Sequence, residues 1–308
     1  MLQKITAVLI VMIVTTAYLM NPTSATVVQD LEDRVVILDA GHGEENPNVW
    51  EDYYEHVTML ELAYKIKPLL EARGARVFLT RTGDNDVPHS VRCAKINIWT
   101  LQELADENRV DILEIERLIG IMQSVIDDPE ENGPIYFNTP FDYTYERRIH
   151  PDLERIFEYQ SDPLISERFL FISLHSNATS RPIDETRNGV DIFYISNFIE
   201  RNENYYSGYS NVHRSVYFAN LLMDDIVSLG FTEQEISEYY YFMIREHNLP
   251  GVLVENGFHT NDADRARLQD DVFLNHLAEA YTGAILYYFT SVRALPLPGI
   301  FDDVFGRL

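Results

Sequence analysis

The sequence predicts an α/β domain: a mostly parallel sheet flanked by helices and interrupted by one helical insert. Three observations carry this. Short runs rich in β-branched, aromatic and aliphatic residues occur at Val35–Leu38, Arg76–Thr80, Phe169–Leu174, Gly189–Ser196 and Gly251–Val254, several of them apolar without alternation, as in strands covered on both faces. Helical patterns lie between them, which favours parallel pairing through crossover helices. No repeat, low-complexity tract or Gly/Ser linker divides the chain, so residues 26–308 are expected to form a single domain.

Taken in order, the elements have local reasons. The opening "MLQKITAVLIVMIVTTAYLMNPTSATVV" has one charge, Lys4, an apolar run Ile5–Met20 and a small-residue tail Thr23-Ser24-Ala25. That is the layout of a secretory signal peptide over 1–25, or of a retained N-terminal anchor, although sixteen apolar residues are short for a full span. Both readings place the rest of the chain outside the cytoplasm. After the first strand, Met59, Leu62, Ala63, Ile66, Leu69 and Leu70 follow helical spacing. Gly74 ends that helix before the strand at Arg76. Pro68 should cost it a hydrogen bond or a kink. Between residues 98 and 168 the alternation fails. A helical pattern from Ile112 to Ile126 leads into "GPIYFNTPFDYTYERRIHPDLERIFEY". A structureless loop of this length is improbable, so 98–168 reads as a helical insert. Its Tyr136, Phe137, Phe141, Tyr143 and Tyr145 either form a small core of their own or stack on a ligand. Val216–Leu229 and Ala266–Thr290 read as two further helices.

The chain has 308 residues, 24 basic against 49 acidic side chains and a net charge of −25. Such a surface repels phosphates, which excludes nucleic acid as a partner, and anionic membrane too unless the N-terminal segment anchors the chain. One cysteine, Cys93, rules out an internal disulfide and, in an exported chain, points to a bacterial protein held by its core. In the helix-like "SVRCAKIN" it reads as a buried structural thiol.

Three strands end on groups that can do chemistry. "VVILDAGHG" finishes with His42 between two glycines, "FLFISLHSNA" runs into His175, and "GVLVENGFHTN" delivers Glu255. Open α/β sheets bind ligands at the carboxyl edge of their strands. If these strands are parallel neighbours, His42, His175 and Glu255 share one rim, and Glu55, at the head of the first helix, reaches it. Two neutral imidazoles and a carboxylate make a three-ligand zinc site with one position open for water, and a second carboxylate beside it supplies the base for hydrolysis. The other histidines (His89, His150, His213, His247, His259 and His276) read as surface or packing residues, with His259 also a candidate proton relay. The "NAT" at Asn177 reads as a chance match to a glycosylation acceptor.

Taken together and in order, "VVILDAGHG", "YEHVTMLELAYKIKPLLEARG", "VFLTRTGD", "VRCAKIN", "FISLHSNA" and "VLVENGFHTND" resemble the zinc-dependent N-acetylmuramoyl-L-alanine amidases of the amidase_3 type. The resemblance covers roughly 35–97 and 169–290. It implies a six-stranded sheet, one zinc ion held by His42, Glu55 and His175, and Glu255 as the catalytic carboxylate. It also implies a substrate, the glycan strand and stem peptide of peptidoglycan, cut at the amide between N-acetylmuramic acid and L-alanine. The chain departs from the family where a third glycine and a Gly-rich stretch are usual: here it reads "GHGEENPNVWEDYYE", with His56 in place of a lysine. Glu44 and Glu51 therefore compete with Glu55, which the following helix favours. In some relatives a helix blocks the zinc until an activator protein moves it; the acidic residues Glu154 and Glu158 of the insert suggest the same arrangement. The alternative to an enzyme is a non-hydrolytic zinc-holding wall-binding or regulatory protein whose site the insert closes.

Overall fold

The structure, a computed structural model, describes residues 30–106, 110–138, 148–179, 183–197 and 205–292. The N-terminal segment and the aromatics Phe141, Tyr143 and Tyr145 lie outside them. No helix among the described residues is long and apolar enough to cross a membrane.

Among the described residues, eight strands and ten helices follow in the order β1 (Val35–Ala40), β2 (Val49–Trp50), β3 (Tyr53–Tyr54), α1 (Glu55–Glu71), β4 (Arg76–Leu79), α2 (His89–Asp106), α3 (Ile112–Asp127), α4 (Pro129–Tyr136), α5 (Pro151–Gln160), α6 (Pro163–Ser166), β5 (Phe169–Asn177), β6 (Val190–Tyr194), α7 (Val212–Ser228), β7 (Glu233–Glu238), α8 (Phe242–Arg245), β8 (Gly251–Phe258), α9 (Asp262–Leu268) and α10 (Asp271–Val292). Six strands form one sheet in the order β4-β1-β5-β8-β6-β7, and β2 and β3 make a separate hairpin. Pairing is parallel except between β6 and β8, so the sheet is mostly parallel, as the alternation of elements indicates.

The central strands are buried on both faces, which explains their unbroken apolar runs. Val36, Leu38, Leu170, Ile172, Val252 and Val254 face one layer, built with α1, α7 and α10. Val35, Ile37, Phe169, Phe171 and Leu253 face the other, built with α2, α3 and α5. Insert side chains Ile115, Leu118, Met122, Val125, Phe137, Leu153, Ile156 and Phe157 belong to this second core. The insert thus thickens one layer of the domain. Cys93 is buried in the same core.

Several elements differ from the sequence expectation. α1 runs through Pro68, whose carbonyl accepts from Ala72 N at 3.0 Å; the proline falls in the last turn. The expected single helix Ala266–Thr290 is two, α9 and α10. Asp270 breaks it by accepting from Val272 N at 2.9 Å, a side-chain cap that starts a new helix. β7 and the β2–β3 hairpin have no counterpart in the apolar pattern: β7 is the polar edge segment "EQEISE".

Candidate metal centre and active-site cleft

At the end of β1 the chain turns through Gly41-His42-Gly43, and the left-handed residue is the histidine, with φ of 59°. That conformation is uncommon for a residue with a side chain. The glycines serve close approach. A Cβ on Gly41 would lie 2.3 to 2.6 Å from the His175 ring, and one on Gly43 would lie 2.5 Å from the Asp86 Cα. Two arginines collect the carbonyls of this turn. Arg81 donates to Ala40 O at 2.8 Å, Gly41 O at 2.9 Å and His56 O at 2.6 Å. Arg92 donates to Ala40 O at 2.8 Å and His42 O at 2.5 Å, and its charge faces Asp39 at 3.3 Å. Both guanidiniums are buried. Burial alone would raise the Asp39 carboxyl, but Arg92 with the hydroxyls of Thr80 and Ser173 holds it below its ordinary 3.8. Charge-assisted hydrogen bonds thus hold a turn whose conformation costs on the order of 1–3 kcal/mol.

Glu55 is the first residue of α1 and wholly buried. One carboxylate oxygen accepts from Ser176 N at 2.9 Å and the other from the Asn48 amide. His42 Nε2 stands 3.4 Å from Glu55 Oε2, and His175 Nδ1 stands 3.1 Å from Glu55 Oε1. One ligand atom from each of the three residues lies within 4.8 Å of the others. The far nitrogen of His42, Nδ1, is 3.0 Å from Asn46 O; donating there leaves the Nε2 lone pair for the site. Burial pushes both imidazoles below 6.5 and so keeps them neutral, the state a metal ligand needs. It pushes Glu55 up to about 7.

The β5–β8 register sets Glu255 beside His175, and the antiparallel β6–β8 register sets Asp191 on its other side. Burial first, and then the negative charges of Glu55 and Asp191, push Glu255 up to about 8, against the attraction of His175. Its Oε2 is buried and has no hydrogen-bond partner among the described residues. Two carboxylates held this high, neither paired with a lysine or arginine among the described residues, have the electrostatics of a cation site. The donor set of two neutral imidazoles and a carboxylate suits zinc.

The remaining sequence candidates fall elsewhere. Glu44 joins Asp84 O through its backbone at 2.8 Å, and the Glu51 carboxylate meets Arg265 at 2.6 Å. Neither approaches the histidines in the way Glu55 does. His259 Nδ1 bonds Ser176 Oγ at 3.0 Å, and the same hydroxyl meets Tyr53 OH at 2.8 Å. This buried chain braces the strand that carries His175. Asn177 uses its amide on Asp191 and on Ala178 N. Glu154 and Glu158 pair with Arg148 and Arg155 within the insert.

A cleft of about 340 Å³ lies over the site, lined by His42, His175, Glu255, Asn46, Asp86 and Arg92 on the metal side. Tyr239, Tyr240, Tyr241, Phe242 and His89 also line it. No described residue of 98–168 lines it, and Phe137 is buried in the second core. The described aromatics of this cleft are these tyrosines and Phe242, which sequence reasoning missed. The run "EYYYF" after a polar segment was the available signal.

Fold and cleft together define a layered α/β domain with a polar cleft at the carboxyl edge of its central strands. The family model Amidase_3, described as N-acetylmuramoyl-L-alanine amidase, matches residues 36–104 and 146–287, and the chain belongs to that family. Its activity is hydrolysis of the amide between N-acetylmuramic acid and L-alanine in peptidoglycan. Among solved structures the chain is similar to Ami1 of Mycobacterium smegmatis, with TM-score 0.52, 17% identity and coverage of 85% of this chain and 99% of that one. It is also similar to AmiC2 of Nostoc punctiforme, with TM-score 0.51, 18% identity and coverage of 84% and 98%. CwlD of Clostridioides difficile, solved in complex with the GerS lipoprotein, gives TM-score 0.50, 19% identity and coverage of 83% and 98%. No curated protein matches the chain. Residues 105–145 of the insert fall between the two stretches that the family model covers.

Proposed function

We propose that the chain is an extracytoplasmic zinc amidase of the cell wall in which His42, Glu55 and His175 hold the metal and Glu255 carries the proton. The observation that supports this best is the pairing of a compact His–Glu–His donor group with a second buried carboxylate that has an unpartnered oxygen. Zinc bound there would act as a Lewis acid on water and on the scissile carbonyl, drawing the pKa of water from about 16 toward roughly 7. Glu255 takes a proton from water and delivers it to the departing alanine nitrogen; burial raises its carboxyl, and the charge of a bound cation would draw it back toward the ionised form that accepts the proton. Arg81, Arg92, Asn46 and Ser176 keep the donors in place.

Residues 1–25 act as an export signal in this reading, cut after Ala25 or kept as an anchor, and 26–308 as one catalytic domain. CwlD, a relative with a protein bound, is the precedent for an activator partner here. The test is metal-replete protein on purified peptidoglycan, with mass spectrometry for free stem peptides that begin with L-alanine. Glu255→Gln should keep its zinc and lose turnover by about 10²–10⁴, whereas His42→Ala should lose the zinc. Full activity in Glu255→Gln would sink the assignment.

A further inference from the structure

A second pocket, of about 230 Å³, opens where the first turn of α2 meets α4 of the insert. It shares His89 and Phe242 with the metal cleft, so the two adjoin. Its volume lies below the range of about 300–1,000 Å³ usual for a complete ligand site, which suits a subsite. The lining has a particular chemistry. Its described lining is three prolines, two phenylalanines and Gly133, with Ser90, Asn138 and His89 as the polar residues and no lysine, arginine, aspartate or glutamate among the described residues. Loss of hydration at the cleft wall, and then the charge of Arg92, push the His89 imidazole below 6.5. The metal cleft, by contrast, carries Asp86, Arg92 and Glu255.

The walls are firmly set. Gly133 packs so closely that a Cβ there would lie 3.0 Å from Ser90 Oγ. Phe242 sits with its ring 5.7 Å from His89 and 6.0 Å from Phe137.

Resting on the amidase reading, we infer that this pocket, built partly by the insert and adjoining the metal cleft, is a subsite for an uncharged N-acetylated sugar ring of the glycan strand. Charge decides between the two halves of the substrate. Burying a carboxylate of the stem peptide against this lining would leave it desolvated with no described cation beside it. An acetamido sugar offers apolar ring faces to the phenylalanines and neutral donors and acceptors to Ser90, Asn138 and His89.

The test uses the full chain and two substrates with the same peptide, one on a single N-acetylmuramic acid and one on a tetrasaccharide. Ser90→Leu fills the pocket and Asn138→Ala removes a hydrogen-bonding group while keeping the backbone. Each should raise KM for the tetrasaccharide, by about tenfold and about threefold, as expected for one or part of one neutral hydrogen bond and its packing. The kcat on that substrate and both constants on the monosaccharide should hold. Calorimetry with a peptide-free N-acetylglucosamine trimer should show binding to wild type that Ser90→Leu loses, with or without metal. Equal KM changes on both substrates, or none, would overturn the subsite while leaving the amidase intact. If wild type cleaves neither substrate, the amidase reading fails, and the trimer titration alone decides the sugar site.

Discussion

Gly41→Ala tests the geometry of the proposed metal centre with a single methyl group. Gly41 does not use a left-handed backbone, so alanine fits the chain there and its effect is steric. The new Cβ would stand 2.3 Å from His175 Cε1, 2.5 Å from Nδ1 and 2.6 Å from Nε2. Ordinary carbon contacts start at roughly 3.4–3.5 Å, so about 1 Å must be made up. The turn cannot yield freely, because Arg81 and Arg92 hold the carbonyls of Ala40, Gly41 and His42. Whether the ring or the turn moves, the donors on His42 and His175 separate. Metal–ligand distances tolerate about 0.2 Å, so the shift is several times too large for the ligand set to survive unchanged. Overpacking of this kind costs about 1–3 kcal/mol, and losses in outer-shell support alone weaken metal binding by about 10–100-fold. Zinc affinity, read by competition with a chromophoric chelator, should therefore fall by about 100-fold or more. The apo protein should still melt cooperatively. Wild-type zinc affinity and turnover in Gly41→Ala would refute the inference that this glycine exists to admit the His175 ring.

The other predictions address stability and the second core. Gly120, in α3, has open space where a methyl group would stand, with nothing within 4 Å, so Gly120→Ala should stabilise the fold by about 0.5–1 kcal/mol in urea denaturation. Burial pushes His247 down to about 3; the unfolded chain takes up a proton below about 6.5 that the folded chain refuses until about pH 3. Its contribution is therefore intact above pH 6.5 and is lost as the pH falls. Across that window His247→Gln should lose about 1.4 kcal/mol less per pH unit than wild type, measured as urea midpoints from pH 7 to 4. Asp39 has the carboxylate sign: its pKa lies below 3.8, so the stability it brings is present above that value and is lost as the pH falls through its folded pKa. The deficit of Asp39→Asn against wild type should shrink in acid.

What could be read from the sequence was whatever two covered faces impose. β1, β5 and β8 are apolar throughout because both layers pack on them, and the groups at their ends stand out for that reason. Glu55 was legible only through the helix it starts. The edge of the sheet was not legible: β7 is "EQEISE", half exposed, and an edge strand needs no apolar face to pair with β6. Nor does an apolar run carry its direction, so the reversal of β6 against β8, which brings Asp191 to Glu255, could not be foreseen. The tyrosine-rich insert offered aromatics either for a small core or for a ligand, and its Phe137 joins the second core. Among the described residues the aromatics of the metal cleft are Tyr239–Tyr241 and Phe242, which the polar pattern before them gave no reason to place there.

The segment between the two first donors shows why a glycine-poor loop can stand where the resemblance leads one to expect glycines. Its backbone supplies Asn46 O to His42 Nδ1 and Pro47 O to His56 Nδ1 at 3.3 Å. Its side chains supply the Asn48 amide to Glu55 and the Tyr53 hydroxyl to Ser176, whose N–H holds the other oxygen of Glu55. Glycines could provide the carbonyls but neither of the side-chain groups. The β2–β3 hairpin then fixes the loop in place, pairing Val49 with Tyr54 and Trp50 with Tyr53, while Arg265 takes the carboxylate of Glu51 at 2.6 Å. Residues 44–54 thus trade backbone freedom for outer-shell contacts, and rigidity in the donors follows from the loop's own side chains.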